Sequence, residues 1–187
     1  MSISTTSSRV PSLKSVAIGA AVALLGGIAI KTIASGACAN DKCFLSKAAD
    51  AGSTEIAASK LAQSKSSHPE VKQFADAMLT RHTQMAEELK QLASSRQIEL
   101  SDQPGARHQA QIDKLSRLDG QPFDKEYAAS IGVAAHKDAV KLFRDASQKA
   151  SDPDIKAFAT KTLSALQHHL DMANALQAAL AKQTATR

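Results

Sequence analysis

The chain has 187 residues, 43% apolar and 22% charged, which is the balance of a globular rather than a disordered protein. Aromatics make up 3%, with no Trp and one Tyr, so aromatic stacking platforms for single-stranded nucleic acid or sugars are excluded. Of the net charge of +5, residues 1–39 hold +3 (Arg9, Lys14, Lys31 and no acid), and the remainder mixes both signs without a basic face for nucleic acid.

In chain order, a polar Ser/Thr-rich stretch with two positive charges comes first. Val16 to Ile30 then runs without a polar side chain, and Ala37-Cys38-Ala39 follows as an A-x-A site. These are the three parts of a secretory signal. Fifteen helical residues rise about 22 Å, short of the ~30 Å hydrocarbon core, although Lys31 could snorkel and let the segment stay as an anchor. Residues 1–39 are therefore expected to be a signal peptide or an N-terminal membrane anchor, with lipidation at Cys38 a weaker variant, and residues 40–187 the exported, periplasm-facing domain. Cys38 and Cys43 have no CxxC spacing and no neighbouring His, so they read as bystanders at the processing junction.

From Phe44 the pattern is helical almost to the end, and sparse Gly and Pro exclude a turn-rich β fold. Helix one is expected over about Phe44–Ser66. Ser67-His68-Pro69-Glu70 reads as a capping box that opens a second helix reaching about Arg96. Pro104-Gly105 marks a linker, followed by a short helix over Ala106–Leu118 that Asp119-Gly120-Gln121-Pro122 ends. A third long helix covers about Phe123–Ala150. Ser151-Asp152-Pro153-Asp154 then caps a fourth that runs to about Lys182, with Gln183–Arg187 expected to fray.

The two caps expose an internal repeat. Ser67-x-Pro69-Glu70-Val71-Lys72-x-Phe74-Ala75 matches Ser151-x-Pro153-Asp154-Ile155-Lys156-x-Phe158-Ala159 at an offset of 84 residues. The domain is thus expected to be all-α: two helical hairpins joined by a long crossover that carries a short helix. That is the ferritin-like four-helix topology.

Apolar periodicity shows which side chains face inward. On helix two, His82 stands in the stripe between Met78 and Met85. On helix four, the series Ile155, Ala159, Thr162, Leu166, His169, Ala173, Leu176, Leu180 includes His169 but not His168. Helix three rings His136 with Gly132, Val133, Ala139, Val140 and Phe143, and helix one sets Glu55 among small residues. Each of the four lies near the middle of its helix, so they share one layer.

A carboxylate and three imidazoles from facing helices make a candidate site for one transition metal, Zn, Cu or Fe, at Glu55, His82, His136 and His169. The competing reading is a metal-free polar network that only fixes helix register. Carboxylate-bridged di-iron chemistry is disfavoured, because Leu79 and Leu166 occupy the positions where Glu-x-x-His would need Glu. His68, His108 and His168 read as solvated, and no nucleophile triad, phosphate loop or HExxH is present.

Phe44-Leu45 with Ala48-Ala49, Glu55, Pro69-x-Val71-x-x-Phe74-Ala75-x-x-Met78, His82, Gly120-x-x-Phe123-Asp124-x-x-Tyr127, His136, Lys156-Ala157-Phe158-Ala159 and His169-Leu170 together resemble the bacterial domain-of-unknown-function family 4142. The resemblance covers about Phe44 to Leu180. It implies a ferritin-like fold in exported bacterial proteins and brings no assigned activity. Arg81 stands where family members usually carry Asp, and Ser164 where they tend to have Pro. The expected function is that of a cell-envelope bundle binding one metal ion. The alternative is a structural or protein-interaction module of the envelope, and membrane contact is expected only through the N-terminal segment.

Overall fold

The structure, a computed structural model, describes residues 40–185; the expected export segment and Cys38 lie outside them. Helix α1 spans Asp41–Lys65, α2 Pro69–Ser94, α3 Ala106–Ser116 and α4 Gly120–Glu126. A π-helical segment over Tyr127–Ala135 joins α4 to α5 (His136–Lys149), and α6 spans Pro153–Ala185. The junction residues keep right-handed helical dihedrals, so α4, the π segment and α5 form one continuous rod. No helix among the described residues is long and apolar enough to cross a membrane.

Two hairpins organise the bundle: α1 packs along α2, and the rod formed by α4, the π segment and α5 packs along α6. Their apolar faces close on each other through α2 with α6 and α1 with α5. All eight seam positions read on the fourth helix, Ile155 to Leu180, are buried. Each fully buried Leu, Ile or Phe in these seams stabilises the fold by about 1.5–3 kcal/mol, which is why the 3.6-residue period was a sound guide.

The core falls into two apolar clusters. One gathers Ala58, Ala62, Phe74, Met78, Tyr127, Ile131, Leu170 and Ala173. The other gathers Phe44, Leu45, Leu89, Val140, Phe143, Ile155, Phe158 and Leu166. Every long helix passes from one cluster to the other at its ionisable seam residue, so Glu55, His82, His136 and His169 form a polar layer between them.

The element ends correct several expectations. Ser67 does not cap α2. Pro69 occupies its first turn, which puts His68 at the cap position, and no side chain caps there; instead the Ser66 hydroxyl accepts from the His68 amide. Asp152, the residue in the same place before Pro153, does cap α6, its carboxylate accepting from the amides of Asp154 and Ile155. The short helix ends at Ser116, ahead of Asp119-Gly120-Gln121-Pro122, but the next helix starts earlier than Phe123: Gly120, at φ +55°, already opens α4, and Pro122 is tolerated in its first turn. The expected fraying of Gln183 is also wrong. It belongs to α6, and its side-chain oxygen lies 2.8 Å from His68 Nε2.

Polar clamps fix the ends. Arg96, just beyond α2, forks onto Asp152 through Nε and Nη2 and reaches Asp154 at 3.0 Å, and these bonds hold the Asp152 carboxyl down at about 2. Asp50 of α1 accepts from the Gly105 amide at 2.7 Å and meets His108 Nδ1 at 2.9 Å, tying the crossover to the first hairpin. His108 is therefore a structural partner rather than a solvated bystander, whereas His168 is exposed as expected.

Candidate metal centre

Four helical segments each deliver one side chain to the polar layer. Glu55 is 2% exposed, His82 1%, His136 0% and His169 3%. Glu55 projects from α1 where Ala51, Gly52 and Ala58 leave room beside it. His82 follows Met78 by one turn on α2, and His169 follows Leu166 by one turn on α6. His136 opens α5 where the winding changes from π to α.

The three imidazoles form a nearly equilateral triangle, with ring centroids 5.2 Å (His82–His169), 5.4 Å (His82–His136) and 5.4 Å (His136–His169) apart. One ring nitrogen from each lies within 4.8 Å of the other two. Phe74 stands edge-on to His136, with ring centroids 6.4 Å apart.

Glu55 contacts two of these rings through their Nδ1 atoms. Its Oε2 is 2.9 Å from His82 Nδ1, and its Oε1 is 3.5 Å from His136 Nδ1. His136 Nδ1 also lies 3.2 Å from the carbonyl of Ile131 in the π segment. A carboxylate and a carbonyl can only accept, so both rings donate through Nδ1–H, and when either ring is neutral its lone pair lies on Nε2. His82 Nε2, His136 Nε2 and His169 Nδ1 are buried and have no hydrogen-bond partner among the described residues. All four candidates named from the sequence thus meet in one layer, in two positions: three imidazoles converge, and the carboxylate buttresses two of them from behind.

The electrostatics follow from burial and proximity. Burial alone would raise the Glu55 carboxyl, but His82 and His136, the His82 hydrogen bond and His169 outweigh it and hold it at about 2. Desolvation, with repulsion from His82 and His136, pushes His169 down to about 3. At neutral pH the layer therefore holds an ionised carboxylate beside a neutral His169. Buried imidazole lone pairs with one negative charge behind them are a donor set for a cation.

Two contributors escaped the sequence reading. The expected uninterrupted third helix contains the π segment, whose Ile131 carbonyl meets the His136 ring. Tyr127 bonds Ser59 at 2.8 Å one turn from Glu55, and burial pushes its phenol well above the usual range, keeping it neutral. The family signature in this region extends well beyond the four ligand candidates. A family model described as a domain of unknown function, DUF4142, matches residues 30–176. The chain belongs to the DUF4142 family. That match spans the whole of α1 to α5 and all four residues of the polar layer, while no curated protein and no solved structure matches the chain. Within this DUF4142 domain, Arg81 is exposed on α2 and Ser164 on α6, so neither departure from the family pattern enters the layer.

Proposed function

We propose that this DUF4142 protein is an exported, periplasm-facing bundle of ferritin-like topology that binds one transition-metal ion, Zn, Cu or Fe, in its core. His82, His136 and His169 are the ligands. Glu55 orients His82 and His136 from their Nδ1 side and raises their basicity, the role carboxylates commonly take behind metal-binding histidines. The observation that carries the reading is that one ring nitrogen from each of three buried histidines lies within 4.8 Å of the other two, while His82 Nε2, His136 Nε2 and His169 Nδ1 have no hydrogen-bond partner among the described residues. Three imidazole ligands would leave a fourth position for water or a further ligand. The sequence set counted Glu55 as a ligand as well; its bond to His82 Nδ1 supports the buttressing role instead. The order hairpin, crossover with short helix, hairpin supports the ferritin-like topology. The proposal is one of binding, and the donor set singles out no reaction.

Elemental analysis of the full-length protein, beside the triple variant His82→Ala, His136→Ala, His169→Ala, tests it. About one equivalent of a transition metal in the parent and none in the folded variant is the expected result. No metal in either would favour the second reading, an envelope structural or interaction module. The observation behind that reading is the Glu55–His82 pair, which at 2.9 Å can satisfy itself with a shared proton.

A further inference from the structure

The three histidines do not stand in like winding. His82 and His169 lie inside the unbroken helices α2 and α6, whereas His136 directly follows the nine π-wound residues Tyr127–Ala135. The local sequence does not ask for that winding, since the segment holds no Pro and four Ala, the strongest α-former. Its effect is a change of phase. Phe123, Tyr127 and Ile131 follow one another at intervals of four on the buried face, and His136, Val140 and Phe143 continue that face at intervals of four and three. The step between the two series, Ile131 to His136, is five. In an α-helix the face would pass to Ala134 or Ala135 instead, and Ala134 is exposed and Ala135 half-buried. The π winding therefore brings the third imidazole into the layer, with its Nδ1 3.2 Å from the Ile131 carbonyl.

The five-residue step has a second place to go. One turn on, from Ala135 to Val140, it would keep Phe123, Tyr127, Ile131, Val140 and Phe143 on the buried face and exchange His136 for Ala135, turning the imidazole about 100° out of the layer. The Ile131 carbonyl would then take the Ala135 amide in an ordinary α bond. Close-packed neighbours would oppose such rewinding. Beside this turn, however, a pocket of about 380 Å³ opens between α1 and α2, and Ala139 and Phe143 line it together with Gly52, Met85 and Leu166. Gly52 adds to the room, since a Cβ built there would meet nothing within 4 Å. Upstream the segment is held, by the Tyr127–Ser59 bond at 2.8 Å and by Gly132, whose Cβ would stand 3.1 Å from that of Ala173. The turn with room to rewind is the one that carries His136.

We propose that helix winding and metal occupancy are coupled: occupancy holds the step at Ile131–His136, and without it the chain exchanges with a form that has the step at Ala135–Val140 and two imidazoles in the layer. This rests on the metal reading above and adds its regulation. The coupling is a matter of linkage, because an ion that takes three imidazoles favours the phase that supplies all three, and that phase in turn favours the ion.

Hydrogen exchange of the full-length protein, with and without one equivalent of zinc, tests the proposal. Zinc should slow exchange of the amides from Gly132 to Val140 at least about tenfold more than those around Glu55, His82 and His169, a factor within the usual range of coupling between sites. Equal slowing at all four places, or none from Gly132 to Val140 in zinc-bound protein, would overturn the coupling and leave the metal reading intact. Zinc content of the same samples reports on that reading, and failure to bind zinc would overturn both. Deletion of Ala135 supplies the converse, because His136 then follows Ile131 by four residues and faces inward in plain α winding. Once circular dichroism shows it folded, this variant should bind zinc and lose the local difference in exchange. Keeping the parent's difference, or losing zinc, would contradict the coupling; should the variant not fold, the parent's exchange pattern decides alone.

Discussion

The two hairpins are copies in sequence register, yet they treat corresponding positions in opposite ways. At the repeat offset of 84, Gly52 corresponds to His136 and Met85 to His169, while Glu55 corresponds to Ala139 and His82 to Leu166. The first hairpin spends one pair of positions on Glu55 and His82; the second spends the other pair, one helical turn away, on His136 and His169. All four ionisable residues meet in one buried layer, and the four residues left over, Gly52, Met85, Ala139 and Leu166, all line the adjacent pocket. A duplicated scaffold thus yields a polar layer and an apolar cavity side by side, because each copy is polar where the other is small or apolar.

Substitutions at paired positions probe that division, and the largest effect belongs to the ligands. His169→Ala is expected to weaken metal binding at least about a thousandfold by removing one of three ligands. Met85→Ala, at the corresponding place in the first hairpin, should leave metal content unchanged. Dialysis against competing chelators would show both.

Acid comes next. In the metal-free protein His169 titrates at about 3 against an ordinary value of 6.5, so between those pH values the unfolded chain takes up the proton first. Stability contributed by the neutral ring is fully present above about pH 6.5 and is lost as pH falls toward 3. Glu55, held at about 2 against 4.5, adds a loss of the same sign from about pH 4.5 downward. Denaturant titrations should show stability falling by on the order of 3 kcal/mol between neutral pH and pH 4. A flat profile would mean that the layer is already protonated when folded.

Glu55→Gln should keep the fold and lower metal affinity about 10–100-fold, the usual cost of losing a carboxylate behind a ligating histidine. Loss comparable to that of His169→Ala would instead make Glu55 a ligand. Smallest is the glycine pair. Gly52→Ala is expected to stabilise the protein by about 0.5–1 kcal/mol, since the helix gains propensity and the new methyl meets nothing. Gly132→Ala should destabilise it by about 1 kcal/mol, because two Cβ atoms 3.1 Å apart force α6 away. Thermal unfolding of both variants would read the difference in sign.

What was legible in the sequence followed from period and height. The spacing of Met78, His82 and Met85, and of Leu166, His169 and Ala173, put both histidines on inward stripes; positions near the middle of each helix put all four ionisable groups in one layer. The nitrogen each ring turns inward was not legible, because that depends on the acceptor behind it, and for His136 the acceptor is the Ile131 carbonyl within a π segment. No residue preference signals so rare a winding. The caps were misplaced for a related reason. Proline fixes the first turn but leaves the cap to its immediate predecessor, so the repeated serines were passed over, and the two copies diverged to His68 and Asp152.

The most direct test of the central claim is X-ray absorption at the metal edge of the full-length protein loaded with one equivalent of zinc. The account predicts three imidazole nitrogens at about 2.0–2.1 Å with the scattering pattern of whole rings. A shell of oxygen donors alone, or a spectrum unchanged in the His82→Ala, His136→Ala, His169→Ala variant, would contradict it.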